Sequence, residues 1–105
     1  MEVPGGHQNK SWVLISEFLG TAMLAAAVNW GGTSSGTPHC AGLTVFIMAQ
    51  VFGPISGGHF NPAVSVMMYY DGALDSSDLL PYIDSEIAGG IVALQIYDMT
   101  NSSLY

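Results

Sequence analysis

Apolar positions gather into three long stretches, separated by segments rich in glycine, serine and acid. The first runs from Trp12 to Trp30 with a single charge, Glu17. The second, from about His39 to Ile55, carries no charge at all, and the third, from about Leu79 to Tyr97, is interrupted by Asp84 and Glu86. Each is about 20 residues long, enough to cross a hydrocarbon layer of about 30 Å at about 1.5 Å per helical residue. Between the first two lies Gly31-Gly32-Thr33-Ser34-Ser35-Gly36-Thr37-Pro38, a run of turn formers. Between the last two lie a short apolar segment, Pro62 to Tyr70, and the acidic connection Asp71 to Asp78. The pattern predicts an all-α, multi-pass integral membrane protein in a lipid bilayer. Spanning helices are expected over 11–30, 39–55 and 79–97, with 56–70 dipping into the layer and returning.

The dipping segment contains the most informative residues of the chain, Gly53-Pro54-Ile55-Ser56-Gly57-Gly58-His59-Phe60-Asn61-Pro62-Ala63-Val64-Ser65. Glycines permit an extended or left-handed backbone, Asn61 suits a helix N-cap, and Pro62 suits the first helical position, where its missing N–H costs nothing. A helix broken in this way is tolerated at membrane depth where it is buried in protein or lines a watery cavity.

Composition narrows the classes of function. Half the residues are apolar and 9% are charged, with eight acids against one base, Lys10, for a net charge of −7. With no basic patch, neither nucleic acid nor electrostatic docking on anionic lipid is expected. Cys40 is alone, so no internal disulfide forms, and it reads as a small packing residue. His7, His39 and His59 show no metal-ligand spacing, and no nucleophile–base pair or phosphate loop is present, so neither a metal, a cofactor nor an enzymatic activity is expected. Lys10 ahead of the first apolar stretch favours an N-terminus on the cytoplasmic (or matrix or stromal) side. Lys10, the apolar core and Ala25-Ala26-Ala27 imitate a cleavable signal, but Glu17 inside the core argues against cleavage. The sequons Asn9-Lys10-Ser11 and Asn101-Ser102-Ser103 fall on opposite sides of the membrane in a three-span topology, so at most one is modifiable.

The string from Ile55 to Ser65 resembles the first pore loop of the aquaporin and glycerol-facilitator family. Ser16-Glu17-Phe18-Leu19-Gly20-Thr21 is similar to that family's first-helix signature, and the Asn-Pro-Ala triplet follows Glu17 by 44 residues. Ala49-Gln50 with Gly53 fits the end of the second helix. Pro81-Tyr82-Ile83 with Ala88-Gly89-Gly90-Ile91-Val92-Ala93 resembles the third. The resemblance covers most of the chain and implies that residues 1–105 form one half of an inverted repeat: three transmembrane helices plus a re-entrant half-helix.

The resemblance also implies roles. Asn61 would offer its side-chain amide to a passing solute, and Gly57, Gly58 and His59 would expose a ladder of backbone carbonyls. Pro62 and Ala63 start the half-helix, whose dipole points its positive end at the membrane centre. Asn61 as an N-cap and nothing more is the plain alternative. Glu17 would brace the loop by accepting its backbone hydrogen bonds; a charge at that depth costs at least ~2.5 kcal/mol without partners. Glu86 stands where the family usually carries glutamine, and reads either as a protonated carboxyl or as one paired with another chain. Ala41 falls where family members narrow the filter with a bulky aromatic or histidine, and implies a wide corner or no filter. Gly89-Gly90 would allow close helix packing.

A full pore of this family apposes two half-helices, and its filter arginine lies in the other half; this sequence has one half-helix and no arginine. The expectation is therefore a channel half for water or a small neutral solute. It would pair with a second aquaporin-like half, from the same or another chain. The alternative is a non-conducting structural subunit of a larger membrane complex.

Overall fold

The computed structural model describes residues 9–31 and 37–102. His7, most of the turn-rich loop before the second helix and the last residue of the second sequon lie outside the described residues. Four helices follow one another: α1 (Lys10–Trp30), α2 (Thr37–Ser56), α3 (Pro62–Tyr70) and α4 (Ser76–Ser102). Over the described residues the fold is all-α. Stretches of α1, α2 and α4 (Lys10–Trp30, Pro38–Ser56 and Ser76–Thr100) are long and apolar enough to cross a membrane.

Local chemistry fixes the ends. Asn9 caps α1, its side chain accepting from the Ser11 N–H at 2.8 Å. Asn61 caps α3 in the same way toward Ala63, and Pro62 occupies the first turn. Ser76, Ser77 and Asp78 belong to the first turn of α4, not to the acidic connection. Asp78 donates its N–H to the Asp75 carbonyl at 3.0 Å, and its carboxylate meets the positive end of the helix dipole.

The polarity of the packing is inverted relative to a water-soluble bundle. Glu17, Ser16, Ser56, Ser65 and Glu86 are buried, whereas Leu43, Phe46, Ile47, Val51, Ile91 and Ile96 are exposed. A hydrocarbon surround explains this, because it accepts large apolar side chains on the outside and drives polar groups to pair inside. The buried apolar cluster is small: Val13, Leu74 and Tyr82, flanked by Leu14, Ile55, Met68, Tyr69 and Leu79.

Helix α1 is central, packing against both α2 and α4, while α3 lies on α4. The α1–α4 crossing is close because Gly89 is buried against the Phe18 carbonyl and the Ala22 nitrogen; Gly90 has open space beside it. Of the two glycines expected to permit close approach, only Gly89 does so. A second tie between these helices is the ion pair of Lys10 with Asp78, 2.7 Å long, with the lysine side chain 69% exposed. Solvent screens such a pair, so Lys10→Ala should shift stability by less than ~1 kcal/mol. Thermal unfolding in detergent, followed by circular dichroism, checks this.

Candidate functional site

The segment between α2 and α3 carries no regular structure of its own. Gly57 and Gly58 have φ of +93° and +68°, and Phe60, which is not a glycine, has φ of +54°. A bulky residue in the left-handed region is an outlier that the surroundings must impose. Two features impose it here. The Phe60 ring is buried against Gly20 of α1, where a Cβ would overlap it. The Phe60 N–H donates to Glu17 Oε1 at 2.8 Å.

Glu17 is the hub of the loop. Its Oε2 accepts from the His59 N–H at 3.1 Å and from the Ser56 hydroxyl at 2.5 Å, so with the Phe60 N–H it takes three donors. Ser56 in turn accepts from the Gly58 N–H at 3.2 Å, and its carbonyl accepts from the Tyr82 hydroxyl at 2.7 Å. The Gly57 N–H donates to the Gly53 carbonyl, closing the last turn of α2. Fully buried, Glu17 thus replaces lost hydration with three short hydrogen bonds.

A second chain of contacts holds α3 to α4. The Ser65 hydroxyl donates to Glu86 Oε2 at 2.8 Å and lies 2.9 Å from His59 Nδ1. A hydroxyl has one proton, so with Ser65 donating to Glu86, the imidazole donates its Nδ1–H to Ser65. The His59 ring also stacks, tilted, on Tyr82 at 4.9 Å between centroids. One ligand atom each from Glu17, His59 and Glu86 lies within 4.8 Å of the others. By donor type this trio would suit a cation, but Nδ1 is committed to Ser65 and Glu17 to three N–H or O–H groups. The arrangement is a hydrogen-bonded network.

Asn61 ends the extended segment. Its Oδ1 accepts from the Ala63 N–H at 2.8 Å, leaving the side-chain NH₂ as the half of the amide not used by the cap. Asn61, Gly57 and Ala63 are exposed, and Gly58, His59 and Pro62 are half-buried. The structure therefore groups Glu17, Gly57, Gly58, His59, Asn61, Pro62, Ala63 and Glu86 around one loop. Ala41 stands apart on α2, fifteen residues before Ser56, on the order of 22 Å along the helix axis. No hydrogen bond of the loop reaches it. Sequence reasoning gave no role to Ser56, Ser65, Tyr82 or Phe60. For the two serines the available signal was a hydroxyl on each side of the triplet in an otherwise apolar context; for Phe60 and Tyr82 there was none.

Residues 6–104 match the family model described as major intrinsic protein. The chain is 42% identical over 84 residues to glycerol uptake facilitator protein-like 6 of Lactiplantibacillus plantarum, covering 75% of this chain and 39% of that protein. It is 46% identical over 78 residues to aquaporin Z of Brucella melitensis, covering 73% and 34%. To aquaporin Z of Photorhabdus laumondii it is 38% identical over 87 residues, covering 82% and 38%. The chain thus spans between a third and two fifths of the length of these relatives.

Proposed function

Because the chain belongs to the major intrinsic protein family, we propose that it supplies one half of a channel for water or a small neutral solute, the pore being completed by a second such half. The observation that carries this reading is the glutamate-braced loop, which ends with Asn61 exposed at the start of α3. In the assembled pore the carbonyls of Gly57, Gly58 and His59 form a polar track. The free NH₂ of Asn61 donates to the solute, and the dipole of α3 disfavours cations at the same point. Residues 56–70 are the re-entrant part of a single half-repeat whose crossings are α1, α2 and α4. With alanine at position 41 the filter is wide on this side.

A second surface is also supported by Asp84, which is exposed on the third spanning helix about two turns in. A carboxylate against hydrocarbon costs roughly 2.5–3.5 kcal/mol, which a neighbouring half or subunit would offset by giving it polar partners.

The test is osmotic shrinkage of proteoliposomes containing this chain, followed by stopped-flow light scattering with sucrose and then glycerol. Flux above that of empty vesicles is expected. Asn61→Asp keeps the cap oxygen but replaces the amide donor with an acceptor. A hydrogen bond worth roughly 1.4 kcal/mol at the barrier corresponds to about a tenfold fall in permeability. If folded, inserted wild-type chain passes nothing above background, a non-conducting subunit is the better reading; flux indifferent to Asn61→Asp would remove Asn61 from the pore.

A further inference from the structure

Glu17 and Glu86 are 0% and 1% exposed, and an oxygen of each lies within 4.8 Å of the other. Their hydrogen bonding is unequal. Glu17 accepts three donors, the pattern of an ionised carboxylate, whereas on Glu86 the Ser65 hydroxyl donates to Oε2 and Oε1 accepts none. Among the described residues no lysine or arginine faces the pair. The sequence's single basic side chain, Lys10, is engaged with Asp78 at the start of α4. The titratable groups that face Glu86 are Glu17 from α1, His59 from the extended segment and Tyr82 one turn earlier on α4. Helices α2 and α3 contribute the hydroxyls of Ser56 and Ser65.

Two carboxylates this close, away from water and with no lysine or arginine beside them, resist being ionised together. We propose that Glu17 and Glu86 are a proton-binding site that holds one proton between them, carried on Glu86 Oε1 and donated to Glu17. This gives the orphan oxygen a partner. As an acceptor it had no donor; as O–H it becomes a fourth donor to Glu17. It also makes Glu86 a positioning residue. Through Ser65 it holds α3, and through the proton it holds Glu17, so the neutral acid ties α1, α4 and the loop together. Because the assignment concerns the folded loop and not flux, it stands or falls separately from the channel reading.

The test is infrared spectroscopy of the full chain in lipid vesicles at neutral pH, in H₂O and D₂O. A neutral carboxylic-acid carbonyl band carried by one glutamate side chain per chain is expected from the wild type. Labelling glutamate with ¹³C at its side-chain carboxyl should shift that band in the unmutated chain, where Glu17 and Glu86 are the two glutamates of this site. Glu86→Gln should abolish the band while leaving the unfolding midpoint unchanged, since the amide offers a donor to Glu17 and an acceptor to Ser65. Absence of the band in wild-type chain would overturn the proposal, as would a band insensitive to the label or surviving in Glu86→Gln. Added zinc chloride should leave the band in place. Its loss, with Glu86-dependent zinc uptake, would overturn the proposal in favour of a cation site.

Discussion

Glu17→Ala is expected to release the loop. The substitution removes the acceptor of the His59 and Phe60 N–H groups and of the Ser56 hydroxyl in one step. Each buried donor left unpaired costs about 1–3 kcal/mol, and the combined loss should fall near 3–5 kcal/mol, a large share of a small bundle's stability. The effect should be local before it is global. Without the Glu17 contact, nothing beyond ring packing holds Phe60 at positive φ, so the segment relaxes and carries Asn61 with it. Limited chymotrypsin digestion in detergent should then cut at Phe60, which is 2% exposed in the intact fold. Glu17→Gln should be intermediate, since it keeps one carbonyl oxygen but aims an NH₂ at groups that themselves donate. A Glu17→Ala chain that unfolds at the wild-type midpoint and resists cleavage at Phe60 would show that the loop is held by packing alone.

The second large effect is expected at Gly89. A Cβ there meets the Phe18 carbonyl of α1, which is backbone and cannot rotate away. Gly89→Val must therefore push α1 and α4 apart along their whole crossing. Overpacking of this kind costs about 1–3 kcal/mol, and here it also displaces Glu17, which directly precedes Phe18, and Glu86, about one turn before Gly89. Gly90→Ala is the matched control: nothing lies within 4 Å of its Cβ, and removing a helix-interior glycine should stabilise by up to about 1 kcal/mol. Unfolding midpoints in the same detergent separate the two. Equal midpoints would mean that α1 and α4 do not cross as closely as Gly89 requires.

These two cases mark how far the sequence could be read. That Glu17 braces the loop was legible, because a lone acid inside a spanning apolar stretch must find donors and the resemblance named the loop as their source. Adjacent glycines in one apolar helix, by contrast, look alike in sequence. Which of them faces α1 depends on helix rotation about its own axis, set by packing against neighbours. Ser65 is similar. Its position three residues into a short helix was plain, but its partners His59 and Glu86 come from a separate segment and a separate helix.

The sequence by itself determined the three spanning stretches, the cap at Asn61, the start of α3 at Pro62 and membership of the family. Each of these rests on local physics: the length of an apolar run against the thickness of hydrocarbon, or a side chain reaching its own backbone a few residues on. Only the tertiary structure decided the left-handed Phe60, the single close-approach glycine and the meeting of Glu17 with Glu86. Those depend on groups 40 to 71 residues apart along the chain, brought together by how α1 lies between α2 and α4. With apolar residues on the outside, what holds these helices in one register is the pairing of a few buried polar groups, and pairing across helices is not written in the periodicity of any one of them.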